Sequence, residues 1–409
     1  MLKNYLSFPR RRESPAILEI PAFARMTYIM KKIFFSLFFL FVGCATDADI
    51  FNDLGNNIAS PTAMAVDSTN RRLYLVNSNN EVLYDWKQGS VHVIDITNPT
   101  SPVRLNTLPT KSFSGDISLD LTNRKAFVSN RFSENPHASN DQMLTIDIDE
   151  SSTNFLSVTE TSVALNPFGI ACCFPNDRLF IGSSEGVLQF TDRTTSPLTV
   201  TSVNLKRTLT TGETFSELKA TNIAIINNQA FLSREEGGVV VVNLDEVSDT
   251  TVNPVDYFIF DIGSPRGIAT DGTRLYVVDE SFENSALISR VLVLDVSSLT
   301  PVTENTTVAV KDKNTDSLFV TGIDVGRNPQ QILIASGKAY VTSSDAKTVS
   351  VLDLTLNAVE KTIGVGKKPF SLGLDSPAGV PTTLYVGNLE DNTISIIDIP
   401  TLSVVATYP

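Results

Sequence analysis

The sequence predicts an all-β fold, a seven-bladed β-propeller with four antiparallel strands per blade, on three observations. An aromatic that opens a short apolar run recurs at Tyr74, Phe127, Phe180, Phe231, Tyr276, Tyr340 and Tyr385, at intervals of 53, 53, 51, 45, 64 and 45 residues. A second apolar run follows each and ends at Asp95, Asp147, Asp192, Asn243, Asp295, Asp353 and Asp398. The two runs therefore stay linked while the connection between them changes length. Each copy also holds about four short β-like runs parted by polar turns, which is the period and content of a propeller blade.

Taken in order, residues 1–29 mix charge and proline without periodicity and read as an upstream extension, with translation starting at Met30. Lys31 and Lys32 then precede a Phe-rich apolar stretch, 33–42, and Gly43-Cys44. That is the pattern of a signal peptide over 30–43, and the stretch is too short to span a bilayer. Residues 44–58, polar and rich in Asn and Asp, read as a tether.

The propeller is expected over 59–409. Its first three runs fall at 63–66, 73–76 and 91–96 in blade one, and at 117–121, 126–129 and 143–148 in blade two. They fall at 169–173, 179–182 and 187–191 in blade three, and at 223–226, 230–233 and 239–244 in blade four. Blade five has 267–270, 275–278 and 291–296, and the clearest pairs follow at 340–343 with 349–354 and at 385–388 with 394–399. Many runs are apolar at consecutive positions, as suits sheets covered on both faces by neighbouring blades. Outer strands are plainest at 358–363 and 403–407, where alternation returns. Pro61, Pro167, Pro265, Pro329 and Pro369 each precede an inner strand, so the corner between blades is itself repeated; blades two and four lack it. The propeller begins with an inner strand and ends with an outer one, so ring closure is expected either to rest on side-chain packing rather than a shared sheet or to draw on a closing strand from Ile50 to Leu54.

A length of 409 residues would ordinarily suggest two or three domains. The repeat replaces that with one large domain. The formal charge is -13, and residues 1–43 hold seven basic residues against two acidic ones, which leaves the rest at about -18. An acidic body disfavours nucleic acid and a bare electrostatic membrane contact, while basic partners and cations stay open.

Phe41-Val42-Gly43-Cys44 resembles the lipobox of bacterial lipoproteins, with Phe where Leu is usual. The resemblance implies lipidation of Cys44, and Ala45 after it implies the outer membrane. The pattern aromatic-Val-Thr-Asn, polar turn, Val-x-Val-Ile-Asp is similar to the YVTN family of β-propeller repeats. Tyr340-Val341-Thr342-Ser343 and Tyr385-Val386-Gly387-Asn388 carry it best, with Tyr74-Leu75-Val76-Asn77 and Phe127-Val128-Ser129-Asn130 behind them. The likeness covers roughly 59–409 and implies a bacterial surface or periplasmic protein; such a repeat specifies a fold and leaves the activity open.

Candidate chemistry is sparse. The Asp that ends the second run sits just before a turn, where a carboxylate accepts backbone N–H bonds, so a turn role is preferred to a metal role. Cys172 and Cys173 are adjacent on an expected inner strand. Neighbouring strand residues point to opposite faces, so they read as two small buried residues, with a vicinal disulfide as the alternative that an oxidising compartment allows. Only two histidines exist, His92 on a strand and His137 in a loop. His92 reads as a sheet residue with a hydrogen-bonded ring, and nothing suggests multi-histidine copper, a Ser/His/Asp triad or a haem motif.

The functional expectation falls on insertions between the second and third strands, at 77–89, 130–142 and 279–289. They place Tyr84, Trp86, Phe132, His137 and Phe282 among Glu81, Asp85, Glu134, Asp141, Glu280 and Glu283 on one propeller face. Aromatics amid carboxylates on exposed connections suit recognition of a protein, a glycan or a cation. The first reading is a non-enzymatic lipoprotein of the cell envelope, a monomer without a cofactor, touching the membrane only through its lipid. The alternative is a propeller lactonase or quinoprotein-like enzyme holding a cation such as calcium, or a cofactor, at the central channel with Asp116 and Asp120.

Overall fold

The computed structural model describes residues 57–78, 89–110, 114–130, 141–174, 177–183, 186–195, 197–205, 220–234, 236–248, 254–283, 285–302 and 308–409. They form seven sheets built in chain order. Blade one is β1 (Pro61–Asp67), β2 (Arg72–Asn77), β3 (Ser90–Asp95) and β4 (Val103–Pro109). Blade two is β5 (Ser114–Asp120), β6 (Lys125–Asn130), β7 (Gln142–Asp147) and β8 (Val158–Ser162). Blade three is β9 (Pro167–Phe174), β10 (Arg178–Ser183), β11 (Val187–Asp192) and β12 (Thr201–Asn204). Blade four is β13 (Ala220–Ile226), β14 (Gln229–Arg234), β15 (Val239–Asn243) and β16 (Val255–Phe260). Blade five is β17 (Ile268–Thr270), β18 (Arg274–Glu283), β19 (Ala286–Asp295) and, after β20 (Ala309–Asp312), β21 (Phe319–Asp324). Blade six is β22 (Pro329–Ala335), β23 (Lys338–Ser343), β24 (Thr348–Asp353) and β25 (Ala358–Gly364). Blade seven is β26 (Pro369–Asp375), β27 (Thr383–Asn388), β28 (Thr393–Asp398) and β29 (Ser403–Tyr408).

The consecutive apolar positions are explained by two-sided burial. In blade one, Tyr74, Val76, Val91 and Val93 pack with Ile117, Ala126, Val128 and Leu144 of blade two. The opposite face of the same strands, Leu73, Leu75 and Ile94, packs with Tyr385, Ile394 and Ile396 of blade seven. Each of the seven repeated aromatics is buried and belongs to the cluster shared with the following blade, Tyr385 meeting blade one. A side chain of that size is what fills the wedge between two sheets, which is why the repeat could be read from it.

Two departures from the simple repeat locate the 64-residue interval. The β18–β19 hairpin has ten residues per strand, against six in β2, β3, β6 and β7. Strand β20 leaves blade five and pairs in parallel with β16, as in Phe258↔Val310, making blade four five-stranded. It covers an edge that would otherwise present unpaired backbone groups.

The inner strands pack side by side around a ring, with β26 against β1 closing it. Among the described residues no strand is exchanged between the first and last blades. Among the described residues the seam is made by packing and hydrogen bonds, and the alternative closing strand at 50–54 lies outside them.

Candidate functional site: the channel wall and the loop face

The channel wall is held by bonds that pass from blade to blade, made in three chemical ways. In blades two, four and six the hydroxyl near the end of the second strand reaches the next inner strand. Ser129 Oγ donates to the Phe168 carbonyl at 2.7 Å, Ser233 Oγ to that of Arg266 at 2.7 Å and Thr342 Oγ1 to that of Phe370 at 3.0 Å. Blades one and seven carry Val76 and Gly387 there. Their inner strands supply the hydroxyl instead, Thr62 Oγ1 donating to the Ser114 carbonyl at 3.1 Å and Ser371 Oγ to the Pro61 carbonyl at 3.0 Å. Blade five uses backbone: the Gly267 N–H donates to the Gln330 carbonyl at 2.8 Å. A Cβ on Gly267 would lie 2.7 Å from that oxygen, so glycine is what permits the approach.

The far face has a second relay, of ion pairs. Asp67 accepts the N–H groups of Thr69 and Asn70 and meets Arg124 Nη1 of blade two at 2.8 Å. Asp120 likewise caps Thr122 and Asn123 and pairs with Arg193 of blade three, and Arg71 of blade one pairs with Asp375 of blade seven. The sequence carried a signal for this, since Asp67-Ser-Thr-Asn-Arg71 returns as Asp120-Leu-Thr-Asn-Arg124. It was passed over because the aromatic repeat dominates the period.

These contacts bear on the two carboxylates considered for a channel cofactor. Asp120 is held between blades by Arg193. Asp116 accepts the N–H of Ile117 through Oδ1 at 2.8 Å and that of Ile170 in blade three through Oδ2 at 3.2 Å. Burial pushes its carboxyl up to about 6, against the pull of those amides. Oδ2 thus already joins β5 to the neighbouring inner strand β9, while Oδ1 is bonded within β5. Among the described residues no three His, Cys, Asp or Glu side chains are grouped to hold a metal ion.

The repeated residue at the end of each third strand caps the turn that follows. The N–H of Thr97 reaches Asp95 at 2.7 Å, that of Asp149 reaches Asp147 at 2.9 Å and that of Thr194 reaches Asp192 at 2.9 Å. The same bond is made by Asp245 to Asn243, Ser297 to Asp295, Thr355 to Asp353 and Thr401 to Asp398.

The loop face is defined by corner bonds. Ser78, just after β2, donates its N–H to Ser60, just before β1, and Ser344 does the same to Asn328. Connections between second and third strands therefore leave on the same face as the blade corners. Tyr84, Trp86, Phe132 and His137 lie outside the described residues, as do Cys44 and the whole of 1–56. Phe282 and Glu283 stand at the tip of the β18–β19 hairpin, so the 279–289 insertion is paired strand rather than irregular loop. Pairing was hidden because Asp279, Glu280, Ser281, Glu283 and Ser289 look like loop residues in composition.

Phe282 is 78% exposed. Beneath it lies a cleft of about 620 Å³ lined by Asp261, Gly263, Glu280, Ser281, Glu283 and Arg290, among others. Arg290 pairs with Glu283, and its Nε stands 3.8 Å from Oδ2 of the buried Asp279. Burial raises the Asp279 carboxyl, although the N–H of Ser264 donates to its Oδ1 at 3.0 Å. None of these cleft residues except Phe282, Glu280 and Glu283 was singled out from the sequence, because the corner at 261–264 carries no repeat signal.

Cys172 is buried in β9 and is disulfide-bonded; the side chain of Cys173 lies outside the described ones. His92 is 1% exposed, and its Nε2 has no hydrogen-bond partner. The ring faces a packed sheet position, between Leu75 and Thr107 in register, and burial with the nearby Arg104 charge lowers its pKa to about 4.

Seven sheets in a ring, with channel-wall hydrogen bonds at six of the seven blade junctions among the described residues, define the class: the protein is a seven-bladed β-propeller. No family model matches the sequence, and no match to it is found among curated proteins. Among solved structures the chain is similar to Kuenenia stuttgartiensis hydrazine synthase, with a TM-score of 0.61 at 12% identity over 85% of this chain and 98% of that one. It is also similar to the β-propeller domain of Myceliophteria thermophila Cps50 (Swd1), with a TM-score of 0.58 at 10% identity over 84% and 97%. At such identities the likeness shows the fold alone.

Proposed function

We propose that the protein is a non-enzymatic scaffold of the bacterial cell envelope, a YVTN-like propeller anchored by a lipid on Cys44, which presents its loop face to a protein or glycan. The observation that carries this reading is the projecting blade-five hairpin. It leaves an aromatic exposed on the same face from which the 77–89 and 130–142 connections leave. The lipid anchor rests on the signal-like stretch ending at Phe41-Val42-Gly43-Cys44, and outer-membrane placement on Ala45. Cys172 and Cys173 joined as a vicinal disulfide agree with an oxidising compartment and with the bonded state of Cys172.

Two measurements on the native full chain test the reading. Metabolic labelling with palmitate is expected in the unaltered protein and lost in Cys44→Ser. Capture from solubilised envelopes is expected to retain a partner that Trp86→Ala or Phe132→Ala releases. Stoichiometric calcium or a redox chromophore in the purified protein would instead support the enzymatic alternative.

A further inference from the structure

We infer that the blade-five hairpin and the cleft beneath it form a docking site for a lysine- or arginine-bearing segment of a partner protein. This rests on the reading that the loop face binds a partner, and it assigns the chemistry of that partner.

The base of the hairpin extension is clamped from both sides. Asp279 pairs with Arg290 in register where blade one ends its ladder at Asn77 and Ser90. Four further pairs, Glu280↔Ser289 to Glu283↔Ala286, carry the strands beyond the blade. The extension is clamped on both sides. On one, Ser264 binds Asp279, and Gly263 lies so close that a Cβ would come 2.5 Å from that of Ser281. On the other, Glu280 Oε1 accepts the Asn328 N–H at 2.9 Å and the Ser289 hydroxyl at 2.8 Å. Phe282, one residue past the clamp, stands in solvent, the most exposed large apolar side chain among the described residues. An aromatic side chain, with only two side-chain torsions, loses little conformational entropy when covered.

Charge selects the occupant. Asp261, Glu280 and Glu283 line the cleft with Arg290, and the buried Asp279 and Lys313 stand behind them, paired with Arg290 and Asp261. Four carboxylates thus meet two cations. Lys313 is held by Asp261, and Arg290 is shared between Glu283 and the buried Asp279, whose Oδ2 it approaches at 3.8 Å, so among the described residues Glu280 has no cation of its own. An anion would be repelled, and a neutral ligand would leave that excess unanswered. An arginine or lysine answers it, laying its alkyl stem on Phe282 and Leu287 with its cationic head at the carboxylates. The acidic body favours the approach of the same kind of partner.

The test uses the full chain and a short fluorescein-labelled Arg-Gly repeat peptide, followed by anisotropy at ~0.1 M salt. Phe282→Ala and Glu283→Lys are each expected to weaken binding about tenfold, the loss typical of removing an anchor residue. Glu360→Lys on the outer strand of blade six, with the same charge change, should stay within about twofold. Equal losses in all three variants would mean a diffuse attraction to an acidic protein and would overturn the inference. So would unchanged binding in the hairpin variants. In the envelope capture experiment, a partner lost from Trp86→Ala but kept by Phe282→Ala sinks the hairpin site and leaves the loop-face reading standing. If the unaltered protein captures nothing, that broader reading falls and the peptide series alone decides the hairpin.

Discussion

Ser371 Oγ lies 3.0 Å from the carbonyl oxygen of Pro61, a hydrogen bond between residues 310 apart that joins the last blade to the first. Room for it comes from Gly387, where a Cβ would fall 2.2 Å from that hydroxyl. The seam therefore uses a serine beside a glycine where blade six uses Thr342. Gly387→Thr alone should destabilise by about 2 kcal/mol through overpacking, and Ser371→Ala alone by about 1 kcal/mol through the lost bond. The double variant removes the clash and supplies a new hydroxyl. A denaturation cycle should then show the pair costing less than the two single changes together, by about 1 kcal/mol. Strict additivity would mean that the two positions do not share the seam.

The second relay crosses the same seam through Arg71 and Asp375, whose carboxylate is fully buried. Arg71→Leu strands that charge, and a loss of roughly 2–4 kcal/mol in urea unfolding is expected. Lys367→Ala, which removes exposed contacts to Glu390 and Asp391, should change stability by less than about 0.5 kcal/mol.

His92 gives the acid limb of stability a definite shape. Its folded pKa is depressed to about 4 from a model-peptide value of 6.5. The unfolded chain therefore takes up a proton first as pH falls, and the stability tied to the neutral ring, complete above about 6.5, declines between about 6.5 and 4. The change is roughly 3 kcal/mol. A fluorescence-monitored unfolding series is expected to be flatter over that window in His92→Gln.

Asp256 acts in the opposite sense. Burial raises its carboxyl to about 6, with the charge of Glu246 adding to the shift against the bonds from Gln229 and Val302. The native state then holds the proton more tightly, so stability is lost as pH rises from about 4 through 6. Asp256→Asn should raise the unfolding midpoint at pH 8 and leave it nearly unchanged at pH 4. Equal effects at both values would show that the carboxyl does not titrate between them.

The ring was legible because the aromatic in each second strand must fill the wedge to the next blade, a demand that fixes residue type and spacing together. The turn roles of Asp95 and its six counterparts were legible for a similar reason, since a cap needs a short acceptor at one place. The staples were less so: Thr62, Ser129, Gly267 and Ser371 solve one geometric problem at different positions, and no single pattern covers them. β20 could be sensed only as an overlong interval, because a four-residue strand paired in parallel leaves almost no periodicity. The cleft beneath Phe282 draws on residues from Asp261 to Arg290, and only the fold brings that corner against the hairpin.

Strand β20 limits how freely the polypeptide could be rearranged. Blades one, two, three, six and seven each take every strand from one uninterrupted stretch, so a circular permutant with new ends at Asn328-Pro329 would keep each sheet intact. Blades four and five have no such independence, because a piece of one is laid along the border of the other. They would have to be duplicated, excised or transplanted as a single module, and new ends placed between β16 and β20 would leave those two paired strands in opposite terminal segments of the permuted chain.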